Sequence, residues 1–438
     1  MKLLALACGL WANLLASGPV SFRVVSGLAQ YSQPTGLTEG SPGVFYLFAA
    51  GSPPGVISVT ARGEVTKLAG FPNGYSILSN LISAANGRFY SSVAFSGHVP
   101  PVIEIFSVGA GPNDLRSYSQ RSQIVHFTQN LPDETLLGVA VDQAANRYSL
   151  VTSDLEGRLT TVYRFPSGEQ LPGTAIFGAD GSYYGVSWEQ KAGTGGYVYK
   201  VTPAGSLTKI YSLPAPSFAT GFSSVPLIQG TDGNLYGAAP AGSGNGSDGF
   251  GTVYQLSTAG RYTLLHRFTK GTETGPESLI QASDGNLYGT TRGFDGPGEI
   301  FRITPSGVLT ALYEMRDADG LCPCHLMQGS DGMLYGSANG AGPQGTGTVF
   351  ALDAGLPKPA PRVLRFQPSS GAVGTKVLIW GYNLLSALVR FHGVAATTVS
   401  GSGPNYVWAT VPAGVKSGPI QMATPGGSAA SATNFTLR

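Results

Sequence analysis

Four aspartates recur in one setting. Asp180, Asp232, Asp284 and Asp331 each open a hexapeptide of the form DGxxYG, written DGSYYG, DGNLYG, DGNLYG and DGMLYG. Carboxylates repeated at a fixed place invite a metal-binding or acid/base role. Each one, however, directly precedes a glycine between two strand-like runs, where an Asp side chain caps its own backbone turn. A structural role is expected for all four. The tyrosines that follow, Tyr184, Tyr236, Tyr288 and Tyr335, offer rings on which a sugar could stack, yet they alternate as residues filling the space between neighbouring sheets should. They are assigned to the core. Asp317 and Asp319 have the spacing of a calcium loop without its later acceptors, and read as an ordinary polar loop.

Cys322 and Cys324 stand in the stretch LCPCH. An oxidising compartment favours a bridge, and the two-residue spacing puts the Cα atoms near the upper limit of good geometry, so the expected pairing is a strained local disulfide. A metal reading would add His325 but finds no second Cys/His pair at plausible spacing. His98, His126, His266, His325 and His392 are scattered, none in a metal-binding helix motif. No GxSxG, P-loop, paired-carboxylate or dinucleotide fingerprint occurs, and the glycine-rich Gly242–Gly251 lies between two strands with no helix to present amides to phosphate. No catalytic, cofactor-binding or metal-ligating residue is assigned, and no cofactor is expected.

The elements carrying these residues form a repeat. The aspartates are spaced 52, 52 and 47 residues apart, a period that signals blades or solenoid turns. In Ser278–Met315, SLIQAS, NLYGTT, EIFRIT and VLTALYEM read as four antiparallel strands joined by tight turns at Asp284-Gly285 and Pro305-Ser306-Gly307, the content of one propeller blade. Third-strand copies start at Gly55, Pro101, Thr160, Gly196, Gly251, Glu299 and Gly347. Second-strand copies start at Val44, Arg88 and Arg147 and continue with the four DGxxYG sites. Both tallies give seven. The last copy lacks a fourth strand, which Phe22–Leu28 is expected to supply, closing a ring. After a proline-rich spacer, 356–361, the tail 362–438 shows strand-like runs at Lys376–Trp380, Ala387–Phe391, Val407–Val411 and Pro419–Ala423, fitting a small immunoglobulin-like sandwich. The expected fold is all-β: a seven-bladed β-propeller over 19–355 followed by that sandwich.

Composition agrees. Only 11% of the 438 residues are charged, and 63 glycines and 30 prolines exceed what helices tolerate. A net charge of +2 without a basic cluster excludes a nucleic-acid partner. Met1, Lys2, an apolar run to Ala16 and the small residues Ala16-Ser17-Gly18 read as a secretory signal peptide, 1–18, too short to span a bilayer, so no membrane span is expected in the mature chain. Cys8, after Ala5-Leu6-Ala7, makes a poor lipobox.

The repeats resemble the GloVer-repeat family of exported bacterial proteins, whose unit combines Leu-Ile, DGxLYGTT, a glycine-rich loop, GTVFxI and LTxLYxF; LIQASDGNLYGTT at Leu279–Thr291 and GTVYQL at Gly251–Leu256 match it. Units one to three match in pattern only: Glu39-Gly40 and Asn86-Gly87 stand where DG belongs, and the third unit carries extra residues around Val139–Ser149. The resemblance implies a β-propeller and no catalytic residues. The tail resembles an IPT/TIG domain, through FQPSSGAVGT at Phe366–Thr375, Val377–Leu384, Val389–Gly393 and Val411–Gly414, which implies an interaction or spacer module. The preferred function is an exported, non-catalytic binding protein of the cell surface or extracellular space, its partner an extracellular polymer or protein, with carbohydrate as the candidate ligand. The alternative is a propeller-type polysaccharide lyase or hydrolase, with a chiefly structural role third. An enzyme would gather carboxylates, or a His with Tyr or Arg, at one mouth, and Glu104, His98, His126, Glu134 and Arg147 in the degenerate units are the residues to inspect.

Overall fold

The computed structural model describes residues 20–438 except 29–30, 52, 78, 96–101, 110, 112–113, 121–122, 143–146, 167–168, 171–174, 190–195, 214–226, 240–250, 270–274, 293–297 and 401–402. The signal-peptide segment 1–18 and His98 lie outside the described residues. Among those described, regular structure is β apart from one 3-10 turn at Asp317–Asp319, and no helix is long and apolar enough to cross a membrane.

Among the described residues, seven antiparallel sheets of four or five strands lie between Ser21 and Asp353. The sixth is the plainest: Pro276–Gln281, Leu287–Thr291, Glu299–Ile303 and Leu309–Glu314, each paired with the next. Its second strand is buried throughout and its outermost strand is half exposed. Inner strands are therefore covered on both faces, and polar residues collect on the outer one.

In the first, third, fifth and sixth sheets the residue after the outer strand reaches the third strand of the next sheet. Phe71 packs on Phe106, Phe165 on Tyr199 and Phe268 on Phe301, with ring centroids 4.8, 5.3 and 5.5 Å apart at steep angles. Met315 takes the same place in the cluster of Phe350. Such aromatic pairs add about 0.5–1.5 kcal/mol beyond area burial.

A second contact recurs on the rim. The outer strand slips by one residue against its neighbour in six sheets, leaving Val25, Leu68, Val162, Ile210, Leu265 or Leu312 bulged. The carbonyls of Val162, Ile210 and Leu265 press on Gly205, Gly260 and Gly307 in the last hairpin of the following sheet, where φ is +80°, +93° and +92°. Only glycine fits, because a Cβ would meet the carbonyl and the dihedral is left-handed. The Val25 carbonyl meets Gly63 of the first sheet in the same way.

Val25 belongs to Ser21–Gly27, which pairs antiparallel with Thr348–Asp353 as the outer strand of the seventh sheet. Two sequence assignments are corrected. In the third sheet, Gln123–Asn130, Leu136–Asp142, Arg147–Ser153 and Leu159–Arg164 are strands one to four, so the segment from Arg147 is the third strand and that from Thr160 the fourth, each one place later than expected. Asp133 and Glu134 hold the Asp-Gly positions there, with Glu134 at φ +66° in place of glycine. That hid the unit. In the first sheet the turn is Pro42-Gly43, between the paired Ser41 and Val44; Glu39-Gly40 lie in the strand before it.

The tail forms two sheets, one with Arg362–Gln367, Lys376–Tyr382 and Tyr406–Thr410, the other with Leu388–Phe391, Gly418–Thr424 and Gly427–Leu437. They enclose a core that includes Phe366, Ile379, Phe391, Val407, Ile420 and Phe435.

Candidate binding groove

The repeated carboxylates are consumed locally. Oδ2 of Asp180, Asp232, Asp284 and Asp331 accepts the hydroxyl of Tyr184, Tyr236, Tyr288 and Tyr335 at 2.7 to 2.9 Å. Oδ1 accepts the backbone N–H two residues on, at 3.0 to 3.1 Å. The four rings are fully buried between sheets. Burial, reinforced by the adjacent carboxylate, pushes the Tyr184 and Tyr236 hydroxyls up to about 12. Burial also opposes ionisation of Asp180, but hydrogen bonds from Lys200, Tyr184 and Ser182 outweigh it and hold that carboxyl below its ordinary range. These groups make turns. They present no paired acid and base.

Sequence reasoning missed the residue three places earlier. Gln229, Gln281 and Gln328 each reach back to the preceding sheet, where Oε1 accepts the hairpin N–H of Ala179, Thr231 or Ser283 at 2.8 to 2.9 Å. Nε2 of each then donates to the carbonyl four residues ahead, Gly233, Gly285 or Gly332. The signal was present as Gln-x-x-Asp-Gly in three units. In the first sheet Glu39 takes the glutamine's place: it is 3% exposed, and its carboxylate accepts the N–H and hydroxyl of Ser330 and the N–H of Gly43. Burial pushes that carboxyl up against the lowering effect of these bonds.

In the second, third and fourth sheets the position is Ser83, Asn130 and Phe177, and there the tail docks. Trp408 donates its indole N–H to the Ala85 carbonyl at 3.1 Å, Asn405 donates to Asn130 at 3.4 Å, and Trp380 packs edge-on to Phe177 at 6.3 Å between centroids. Leu378, Trp380, Tyr406 and Ala85 are buried in one cluster. These three units have exchanged the glutamine clasp for a seat under the tail.

Docking leaves a groove of about 190 Å³ between the hairpins of the fourth and fifth sheets and the tail. Its floor is glycine-rich backbone, Gly178 to Gly181 and Gly230 to Gly233; its wall carries Arg362, Arg365, Trp380 and Tyr382. Arg362 lies directly opposite Tyr382 in the strand pair and Arg365 opposite Trp380, so cation and ring alternate on one face. Trp380 is 4% exposed and its indole nitrogen has no hydrogen-bond partner among the described residues. Tyr382 keeps 36% of its surface. A second hollow of about 140 Å³ between Glu39, Ser330 and Pro425 offers one carboxylate, already bonded.

The remaining candidates do not converge. His126 lies in the first strand of the third sheet opposite Val139, Glu134 in the turn that follows, and Arg147 at the far end of the same sheet opposite Asp142. Glu104 falls on the third strand of the second sheet. His266 packs edge-on to Phe268, and the His392 N–H bonds to Pro419. Asp319 accepts from Tyr313 and from its own turn. The Cys322–Cys324 bridge is not formed: both are free thiols. A bulge falls at Cys324, and the strand pairing resumes at His325. The Cys324 Sγ instead faces Asn339 Oδ1 at 3.2 Å and His325 Nδ1 at 3.1 Å, while His325 Nε2 accepts the N–H of Gly36 in the first sheet at 3.3 Å. Burial pushes the thiol up to about 12 and the imidazole down to about 4. Both groups are neutral at pH 7, which makes this a latch between the seventh and first sheets and no activated nucleophile. No group of three or more potential metal ligands occurs among the described residues.

A family model described as the Gloeobacter/Verrucomicrobia repeat matches residues 116–292 and 171–399. Comparison with curated proteins finds no match. Among solved structures, the BP39L lectin of Burkholderia pseudomallei is similar at 12% identity and a TM-score of 0.52, over 75% of this chain and 97% of that one. The extracellular domain of a hybrid two-component system from B. thetaiotaomicron is similar at 14% identity and a TM-score of 0.50, over 93% of this chain and 52% of that one. At such identities the likeness is one of fold, all-β and propeller-like.

Proposed function

Because the chain belongs to the Gloeobacter/Verrucomicrobia repeat family, we propose that it is an exported, non-catalytic binding protein of the bacterial cell surface or extracellular space, with carbohydrate as its ligand. Residues 1–18 are its signal peptide. The seven sheets act as blades of one propeller over 19–355, closed where the first sheet follows the seventh. Support for closure is that this junction repeats the others in kind: the Val25 carbonyl stands on Gly63 as Leu265 stands on Gly307, and Ser330 bonds to Glu39 as Ser283 bonds to Gln328. Residues 356–361 form the linker, and 362–438 an immunoglobulin-like IPT/TIG domain, a reading supported by the two sheets around the Phe366, Phe391 and Phe435 core.

The observation that carries the binding reading is the groove, in which rings and guanidiniums line a recess over a glycine floor. Aromatic faces with a few polar groups are the usual lining of a small-ligand recess. A glycan array with residues 19–438, run beside a reducing-end assay on each bound glycan, tests it. Binding without release of new reducing ends is expected; turnover, or silence across the array, overturns it.

A further inference from the structure

We propose that the groove seats a uronate, a carboxylate-bearing residue of an acidic polysaccharide, between the guanidiniums of Arg362 and Arg365 and beside the ring of Tyr382; this rests on the carbohydrate-binding reading above. The first argument is charge. Neither arginine has a carboxylate within ion-pair distance among the described residues, and both border the same recess. The acid on the neighbouring hairpin, Asp180, is committed to Lys200 at 2.8 Å and to Tyr184. Two unpaired cations facing one recess make it a receptor for an anion, and the planar fork of a guanidinium fits a carboxylate with two parallel hydrogen bonds.

The second argument is shape. At about 190 Å³ the recess is smaller than the roughly 300 Å³ at which pockets for drug-sized ligands begin, so it admits one ring of a chain and leaves its neighbours in solvent. The hairpin floor between Gly178 and Gly181 carries no bulky side chain that would hold a sugar away. Tyr382, which keeps 36% of its surface and is backed by the buried Trp380 at 5.9 Å between ring centroids, supplies the apolar wall that a pyranose C–H face needs. A neutral sugar would use the wall alone and leave both arginines unanswered.

The test is calorimetric titration of residues 19–438 with tetragalacturonate, its methyl ester and a neutral tetrasaccharide, repeated on the double variant R362Q/R365Q and on Y382A. Tetragalacturonate should bind more tightly than its ester, weaken as salt rises, and lose at least about tenfold in affinity in the double variant. Both arginines are exposed, so the variant should keep the wild-type circular dichroism and melting profile; if it does not, the ester comparison and salt series on the wild type decide the matter. Equal affinity for acid and ester, or binding untouched by R362Q/R365Q in a folded variant, overturns the uronate assignment and leaves carbohydrate binding standing. Failure of the wild type to bind tetragalacturonate overturns the uronate assignment, and silence across the glycan array overturns carbohydrate binding with it.

Discussion

Substituting Asp331 separates a turn-making carboxylate from a functional one. Its Oδ2 accepts the Tyr335 hydroxyl at 2.7 Å and its Oδ1 the Met333 N–H at 3.0 Å. Asp331→Ala strands a hydroxyl on a fully buried ring, which costs about 1–3 kcal/mol, and loses a local bond of about 0.5–1.5 kcal/mol. The expected destabilisation is about 2–4 kcal/mol. Asp331→Asn should cost less than about 1 kcal/mol, because the second sheet already contains that arrangement: Asn86 Nδ2 donates to the Tyr90 hydroxyl at 2.8 Å and its Oδ1 accepts the Arg88 N–H at 3.1 Å. The hydroxyl merely turns from donor to acceptor. Removing this charge also relieves the buried Glu39, whose carboxyl is raised in part by Asp331. Urea unfolding of the wild type, both variants and Tyr335→Phe measures the series. Equal losses for Asn and Ala, or a neutral Ala, would refute the turn-and-ring account.

Gly307→Ala should cost at least about 2 kcal/mol, since it combines a left-handed dihedral with a Cβ 2.6 Å from the Leu265 carbonyl, whereas Gly285→Ala, at φ +82° with open space around it, should cost only about 1 kcal/mol; equal losses in urea would remove the rim contact from the account of sheet packing. His325 contributes stability that is present above pH 6.5 and fades as pH falls toward 4, because the unfolded imidazole takes a proton in that window while the folded one, accepting from Gly36, does not. The residue keeps some surface, so about 3 kcal/mol is an upper bound. His325→Gln should flatten the stability profile between pH 4 and 6.5, and an unchanged slope would place the acid sensitivity elsewhere.

Much of the architecture was legible in local chemistry. Asp-Gly at a two-residue turn requires a positive φ and a short acceptor, and such needs are met by neighbours in the chain, so the period and the strands of units four to seven stood in plain view. The third unit misled because Glu134 carries the φ that glycine usually supplies, and with the Asp-Gly signal absent the count slipped by one strand. The disulfide expectation failed to register a bulge at Cys324, which is set by pairing with the next strand and not by the spacing of the two cysteines.

What the sequence determined by itself was the repeat, the all-β character and the turn-capping role of Asp180, Asp232, Asp284 and Asp331, since each rests on interactions spanning only a few residues. What the tertiary structure decided was where a recess forms: Phe177 and Trp380 are 203 residues apart along the chain yet pack together, and the groove exists only because the tail docks where Ser83, Asn130 and Phe177 interrupt the glutamine clasp. Burial and charge at that junction come from segments brought together by folding, and no periodicity along the chain records them.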